Sequence, residues 1–495
     1  MLKHPIIGLL KTFSFEEKKS LSEFIASPYF VKSRRVKELY REIIKYYPLF
    51  SNEDLSKEKL SSKLYKGEYK ELAIRKLLYE LLQIVQNFLA YNRFRSADYI
   101  RDDYILKELM MRNQKKLFKK YSEKTESEFI DDKSINIEYF YNRLLFESNK
   151  FNFSLLYAKE LQKGKPLNEI SNCSMFLTIH FVTEILNEYH LFNIIRDKFN
   201  IDNESNYLNS IIDSLNVEEI IKNFPKENEF VFILEIYSAM YKSFSNFEND
   251  NHYFVYKELV LKHSARLGIN EIYVHYFRLM NYCLLKNRSQ AKRAVFREEL
   301  MSLYEIVLKN NYYKTDKVKY LSNALFKDVL FLGLKLRGFK WSYKFVKEYC
   351  RKLNPDDIEN MFNYGNAYLL NEQKKYELSL DYLNRVSLEN FNYKFDEKNL
   401  RLRIFFELGY FNQVPSLIHT YYENLRYSKL ISKERKHRHR NFLSYLEKIV
   451  KYKTGNTKID ISYLKHKIIE EDQILFKEWL LEKIEEIESG VSNKE

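Results

Sequence analysis

Glycine and proline are scarce in this sequence. The chain has 10 glycines and 7 prolines among 495 residues. Glycine therefore makes up about 2% of the chain, where about 7% is usual. Phosphate-binding loops, tight hairpins and bulges need glycine, because other residues avoid the backbone angles that these structures require. The scarcity argues against such elements and favours long helices joined by short links.

Cysteine and long apolar runs are also rare. The three cysteines, Cys173, Cys283 and Cys350, are far apart, which excludes a zinc-ribbon spacing and argues against a disulfide framework. We expect them to be reduced core residues. The apolar run at Ile6–Leu10 is too short for a signal peptide, and no stretch approaches the ~18 uncharged apolar residues that span a membrane. The sequence therefore predicts a cytoplasmic protein.

The net charge of +14 allows two interpretations. Residues 1–95 hold about 19 Lys and Arg against about 11 Asp and Glu, and residues 331–495 hold about 30 against about 24. A basic protein can bind nucleic acid by neutralising phosphates. The chain is also rich in Lys, Asn, Ile, Tyr and Phe together, as an AT-rich genome produces. Only clustered charge would favour nucleic acid.

Residues 1–95 are predicted to form a helical domain of their own. Ser14 and Glu17 form a capping box that starts a first helix, and three more helices are predicted over 34–47, 51–65 and 69–94. A helix-turn-helix would place Arg34 and its neighbours against bases, but the preceding turn carries Pro28 and two aromatic residues. We favour a cap that seals a helical array. This segment resembles the start of uncharacterised helical proteins from Bacteroidetes-type bacteria, a resemblance that implies no activity.

Residues 96–330 are predicted to form an array of amphipathic helices with heavy aromatic content. Aromatic residues at helical spacing usually pack between helices, whereas a base-stacking platform needs exposed rings beside positive charge. We interpret these aromatic residues as core. The predicted helices are 99–126, 135–162, 170–199, 205–223, 228–246, 251–267, 270–287, 290–310 and 313–336.

A short phrase recurs in the third segment, residues 331–430. LKLRGFKWSYKFVKEYC and FFELGYFNQVPSLIHTYY each pass from a helical stretch through Gly-aromatic into a second one. Between them, NYGNAYLLNEQKKYELSLDYLNRV places Tyr376 where Phe339 and Phe411 stand in the other two. The spacings of 37 and 35 residues, counted on the sequence, are typical of helix pairs stacked into a solenoid.

This region resembles the tetratricopeptide family. Gly365 stands at the small position where paired helices approach closely, Ala367 and Tyr368 follow as in that family, and Pro355 closes the preceding unit. The departures are two extra residues before Tyr376, Leu332 where the next repeat has Gly365, and a proline, Pro415, at the start of a second helix. The resemblance covers roughly residues 320–430.

The resemblance implies a concave groove lined by the first helix of each pair. Asparagine and arginine in such a groove could bind a peptide backbone or its terminal carboxylate, although the same residues are also ordinary solvated positions. The candidate partner-binding residues are Asp328, Lys335, Asn363, Asn366, Asn399 and Arg403.

The densest charge run opens the last segment, residues 431–495. It spans residues 433–440, and we take Arg435, Lys436, Arg438 and Arg440 as a candidate basic patch for phosphate or an acidic partner. Consecutive residues scatter around a helix, so a solvated helix start explains the run equally. His437 and His439 are two residues apart, which does not suit a metal site on a helix.

The sequence lacks the enzyme motifs that were sought. Gly333 and Gly338 have the spacing of a phosphate loop, but Phe339 replaces its lysine, and no G-x-G-x-x-G or G-x-S-x-G is present.

From these patterns together we predict an all-α helical-repeat solenoid of antiparallel pairs, similar to tetratricopeptide proteins, with an N-terminal helical cap. The expected function is non-catalytic binding of a protein or peptide, without cofactor, metal or small-molecule substrate. The alternatives are a nucleic-acid-associated or regulatory protein that uses the basic N-terminal helices, and a self-assembling structural protein.

Overall fold

The structure is a computed structural model that describes most of the chain. The described residues are 2–51, 53–132, 135–157, 165–199, 207–225, 228–287, 292–387, 391–428, 431–455 and 459–492.

The fold is all-α, which confirms the predicted class. The described residues contain 24 α-helices and no β-strand. In chain order, α1 to α12 are Pro5–Lys11, Phe15–Ala26, Arg34–Ile44, Lys57–Leu64, Glu71–Ser96, Asp98–Met111, Lys115–Asp131, Ile137–Leu156, Lys165–Phe199, Tyr207–Ser214, Val217–Asn223 and Val231–Ser245. The remaining helices, α13 to α24, are Asp250–His263, Ile269–Lys286, Arg293–Lys309, Asn323–Leu336, Gly338–Tyr349, Ile358–Glu372, Tyr376–Asn384, Phe391–Glu407, Val414–Tyr427, Lys433–Lys453, Ile461–Glu470 and Lys477–Ser492.

The chain divides into two compact units. Unit 1 is Met1–Leu234 and unit 2 is Glu235–Glu495, so the division falls inside α12. The segment boundaries predicted at residues 95, 330 and 430 therefore lie inside these units.

The N-terminal helices of unit 1 share one hydrophobic cluster. Its members run from Leu2 to Leu89 and are contributed by α1 to α5 and the segments between them. The predicted capping box is present, since the Ser14 hydroxyl accepts from the Glu17 backbone N–H while the Glu17 carboxylate accepts from the Ser14 N–H. Phe15 lies outside the cluster and is 62% exposed. A separate core thus forms within about the predicted first segment.

Several helices end on a residue in the left-handed region. Asn113, Asn311, Lys374 and Gly409 have φ between 56° and 73°, and each is followed by a backbone N–H that bonds to a carbonyl five residues earlier. This is the Schellman end, which pairs carbonyls that a helix otherwise leaves without a partner. It explains why the predicted helix 99–126 was wrong: α6 stops at Met111, and α7 starts at Lys115 after Asn113.

Other predicted boundaries were also wrong. The helix predicted over 205–223 is two helices, α10 and α11, because Asn216 caps a new start by accepting from the Glu219 N–H. The helix predicted over 313–336 begins only at Asn323. The Thr315 hydroxyl accepts backbone N–H bonds from the residues two and three positions later, and Ser322 then caps α16.

Consecutive helices of unit 2 pack against one another from α13 to α22, and α16 also contacts α18.

Two glycines of unit 2 allow neighbouring helices to approach closely. A Cβ atom on Gly365 would lie 3.0 Å from Val346 of α17, and one on Gly333 would lie 2.4 Å from the Trp341 ring. Leu332 was a departure from the tetratricopeptide pattern, and the neighbouring Gly333 is the residue that lies against Trp341.

The cysteines are free thiols, with Cys283 and Cys350 buried. Burial raises the pKa of both thiols to about 12. Among the described residues, no helix is long and apolar enough to cross a membrane.

Candidate functional site

The six predicted partner-binding residues all lie in unit 2 but differ in exposure. Asp328 and Lys335 of α16 are exposed, whereas Asn366 of α18 and Arg403 of α20 are partly buried. Two are buried, Asn363 at 7% exposure and Asn399 at 2%. The buried amides cannot contact a partner on the surface.

Asp328 belongs to a group of charges from three helices. Its pKa is raised, because the surrounding protein removes water from the carboxylate and Asp396 of α20 adds negative charge, while Lys327 and Arg435 oppose the shift. The Lys327 ammonium pairs with the Asp396 carboxylate at 2.6 Å. Neighbouring atoms therefore withdraw water from a carboxylate whose residue is exposed at the surface. We call Asp328, Asp396 and Arg435 the charged recess.

Two charges of the recess are not neutralised by ion pairs. Arg435, at the start of α22, is exposed. Within the described part of the chain, neither Asp328 nor Arg435 has an oppositely charged group at ion-pair distance. The recess therefore offers one acceptor and one donor of opposite sign near the Lys327–Asp396 pair.

The wall of the recess is a buried hydrogen-bond network. The Tyr421 hydroxyl lies 2.9 Å from Asn399 Oδ1, 3.2 Å from the Phe395 carbonyl and 2.7 Å from His439 Nδ1. A hydroxyl has one proton to donate, so the network is best satisfied when His439 Nδ1–H donates to Tyr421 and Tyr421 donates to Asn399. Asn399 is thus a structural support for α20 and α22.

Lys335 and Arg403 contact the C-terminal part of the chain. Lys335 pairs with Glu478 of α24 at 3.2 Å. The Arg403 guanidinium lies 4.5 Å from the centre of the Phe476 ring, and burial lowers its pKa. Its Nε is buried without a hydrogen-bond partner among the described residues. The C-terminal segment therefore covers this part of the predicted groove.

The segment that contains Phe476 and α24 is firmly attached to α20. Trp479 donates its indole N–H to Glu407 at 2.8 Å, and the buried Lys483 ammonium pairs with the same carboxylate at 3.0 Å. Leu480 and Ile484 are fully buried in a cluster with α20 to α23. This packing is part of the core of unit 2, so Arg403 lies under the C-terminal segment, whereas Asp328 is exposed.

The four residues of the predicted basic patch lie in the first two turns of α22. Arg435, Arg438 and Arg440 are exposed and Lys436 is partly exposed. No described residue forms an ion pair with any of them. Lys433, Lys436 and Arg440 follow an i, i+3, i+7 spacing and share one face, whereas Arg435 lies on a different face, and its charge acts on the Asp328 carboxylate. The run is therefore divided between two faces.

Several residues of this region escaped the sequence analysis. Lys327, Asp396, Tyr421 and His439 support or form the recess, and none stood out as a motif. Asp396 could have been found, because it precedes Asn399 and Arg403 by three and seven positions on the same helix face. Tyr421 and His439 carry no such signal, since their role depends on contacts between helices.

A second polar cluster, in α12 to α14, is enclosed by the protein. Tyr237 donates to Glu271, and His275 Nε2 lies 3.3 Å from the same carboxylate while its Nδ1 lies 2.7 Å from the Tyr256 hydroxyl. Burial lowers the pKa of His275, whose side chain is 0% exposed. The cluster has no access to solvent. No group of three or more His, Cys, Asp or Glu among the described residues is arranged to hold a metal ion.

This chain matches no protein-family model, no curated protein and no solved structure. The tetratricopeptide resemblance therefore remains an interpretation of residues 320–430.

Proposed function

We propose that this chain is a non-catalytic helical-repeat protein that binds a protein or peptide partner at the charged recess of unit 2. The observation that carries the proposal is the desolvated Asp328 carboxylate near the exposed Arg435, each without an ion pair among the described residues. A desolvated carboxylate is costly unless a partner supplies a hydrogen-bond donor, and the exposed guanidinium is available to a partner's acceptor.

A solenoid of antiparallel helix pairs is part of this proposal. Three observations support it: consecutive helices pack from α13 to α22, α16 contacts α18, and the connections within three successive pairs place Gly338, Lys374 and Gly409 in the left-handed region. Such arrays present one helix of each pair to a binding surface.

The mixed sign of the recess favours a peptide over a polyanion. A peptide backbone has N–H groups that a carboxylate accepts and carbonyls to which a guanidinium donates. A phosphate backbone would gain from Arg435 but would be repelled by Asp328 and Asp396.

Affinity purification tests the proposal. The tagged chain would be isolated from its own cells with and without nuclease, washed at ~0.5 M salt, and its companions identified by mass spectrometry. We expect a stoichiometric protein that survives both treatments, because recognition by shape and hydrogen bonds depends less on salt than phosphate binding does.

A paired variant locates the site. Asp328→Asn with Arg435→Gln should reduce recovery of the partner at least tenfold. Asp381→Asn with Arg426→Gln alters an exposed acid and an exposed base elsewhere in unit 2 and should leave recovery unchanged. Equal recovery with both variants would exclude the charged recess as the binding site.

A further inference from the structure

Unit 1 carries a surface on which aromatic rings are exposed side by side. It is formed by the loop 27–33 between α2 and α3 and by the last turns of α5. Tyr29 is 85% exposed, and Phe30 and Tyr91 are about 40% exposed. The Phe30 ring lies 5.1 Å from Tyr29 and 5.2 Å from Tyr91, measured between centroids. We call these three residues, with Phe94 of α5, the aromatic surface.

Phe24 of α2 supports the rings of Phe30 and Tyr91. Phe30 stacks on Phe24 of α2 at 4.1 Å with an interplanar angle of 16°, and Phe24 is buried. Tyr91 also contacts Phe24, at 5.8 Å. The loop and α5 therefore share one support, and binding to the rings would not require them to be ordered first.

The two segments that carry the aromatic surface contain charged residues of one sign. Residues 27–37 and 81–97 contain six basic residues and no Asp or Glu. The six are Lys32, Arg34, Arg35, Lys37, Arg93 and Arg95.

Three of these cations lie against groups outside the aromatic surface. Arg34 pairs with Glu38 at 2.9 Å, Arg35 lies over the Tyr65 ring, and Arg93 lines a cavity of about 250 Å³ beside Asp98 and Asp132.

The other three cations belong to the segments that carry the rings. The Lys37 ammonium donates to the Ala26 carbonyl at 2.8 Å, at the end of α2 just before the aromatic loop. Lys32 follows Phe30 by two residues, and Arg95 lies one helical turn beyond Tyr91. None of the three has an ion pair with a described residue.

We propose that the aromatic surface of unit 1, with Lys32, Lys37 and Arg95, binds single-stranded nucleic acid. Successive bases would stack on Tyr29, Phe30 and Tyr91 while the cations contact the phosphates between them. The binding does not depend on base sequence, because every base has a ring face. The absence of carboxylates from both segments favours a polyanion over a protein partner. This function is separate from the proposed function of unit 2.

Fluorescence anisotropy tests the proposal with the full-length chain and labelled 20-nucleotide strands, dT20 and rU20, at ~50 mM salt. Both strands should bind, and a 20-base-pair duplex should bind at least tenfold more weakly, because its bases are already stacked. Three phosphate contacts give a slope of about −2 for log K against log salt on single strands. A difference between dT20 and rU20 would assign the preferred nucleic acid.

Two variants separate stacking from charge. Tyr29→Ala with Tyr91→Ala should raise Kd at least tenfold, which corresponds to about 1.4 kcal/mol. Lys32→Gln with Arg95→Gln should reduce the slope to about −0.7. Tyr79→Ala and Lys76→Gln alter an exposed ring and an exposed cation elsewhere on α5 and should change neither value.

Circular dichroism checks that each variant is folded. If the double variant unfolds, the Kd of Tyr29→Ala alone provides the test, because that side chain lies mostly in solvent. The proposal is wrong if neither strand binds at low salt, if the duplex binds as tightly as the single strands, or if Tyr29→Ala and Tyr79→Ala behave alike. It is also wrong if Tyr29→Ala releases a co-purifying protein while no strand binds.

Discussion

His439 is a buried histidine at the junction of α20, α21 and α22. It is 2% exposed, hydrogen-bonded to Tyr421 and 5.6 Å from the centre of the Phe395 ring. Burial, with help from the charges of Arg435 and Arg438, lowers its pKa to about 4. The folded state therefore favours the neutral ring, and the unfolded state takes up a proton near pH 6.5. This contribution to stability is complete above pH 6.5 and is lost as the pH falls toward 4.

His439→Gln should make unit 2 less sensitive to acid. Between pH 6.5 and pH 4 the native chain should lose up to about 3 kcal/mol of unfolding free energy through this residue, and the variant should lack that loss. Denaturant unfolding followed by tryptophan fluorescence measures it, because both tryptophans, Trp341 and Trp479, lie in unit 2. His437→Gln, at an exposed histidine two residues earlier, is the control. The same pH profile for both variants would contradict the prediction.

Gly333 lies against the Trp341 ring across the contact between α16 and α17. A Cβ atom there would lie 2.4 Å from one ring carbon and 2.9 Å from another, so Gly333→Ala must displace the indole. We expect a loss of about 1–3 kcal/mol, the usual cost of overpacking, together with a changed fluorescence of Trp341.

Gly8→Ala is the matched control for this substitution. Gly8 lies within α1 and a Cβ atom on it would meet nothing within 4 Å. Alanine should stabilise that helix by up to about 1 kcal/mol. A stabilising Gly333→Ala would show that the two helices do not approach so closely.

Among the helices, the Schellman ends determine where α6, α15, α18 and α20 stop. The φ of Lys374 is 58°, a region in which a Cβ atom is sterically unfavourable. Gly409 has no Cβ atom and so avoids this strain. Lys374→Gly should therefore stabilise the connection between α18 and α19 by about 1 kcal/mol. Thermal unfolding of unit 2, followed by fluorescence, checks the sign.

The adjacent Lys375→Gly distinguishes this effect from a general effect of glycine. Lys375 has φ −91°, and its N–H bonds to the Leu370 carbonyl. Glycine at this position only adds freedom to the unfolded chain and should destabilise it. If both substitutions lower the melting temperature, the left-handed conformation of Lys374 carries no cost.

The sequence predicted these helices better than their ends. The capping box at Ser14 and the Gly-aromatic phrases correspond to real starts and connections, because both depend on residues close in the chain. Asn113 gave little signal, since asparagine occurs within helices as well as after them. In the stretch before α16, the Thr315 and Ser322 hydroxyls accept hydrogen bonds from backbone N–H groups. Hydrophobic periodicity carries no information about such bonds.

For unit 2 as a whole, the predicted binding residues depart from the structure where distant segments meet. The register implied by the tetratricopeptide resemblance placed Asp328 and Arg403 on a binding face, but it could not show that Phe476, 73 positions beyond Arg403, would cover that guanidinium. The same register placed Asn363 and Asn399 on that face, whereas both are buried. Spacing determines which residues share a helix face, and tertiary contacts determine which faces remain open.

Across the whole molecule, the two proposed sites should differ in how strongly salt weakens their binding. The recess of unit 2 has both signs of charge, and the aromatic surface of unit 1 has one. Raising the salt from ~50 to ~500 mM should weaken single-strand binding about 100-fold, since a slope of about −2 acts over a tenfold change in concentration. It should change partner recovery through unit 2 much less.

Variants at the two sites should also act independently. Tyr29→Ala should weaken oligonucleotide binding without affecting the recovered protein, and Asp328→Asn with Arg435→Gln should do the reverse. Both activities can be measured on each purified variant. If the recess variant also weakened oligonucleotide binding, Arg435 and the exposed cations of α22 would have to be assigned to the nucleic-acid site, and the net charge of +14 would act over both units.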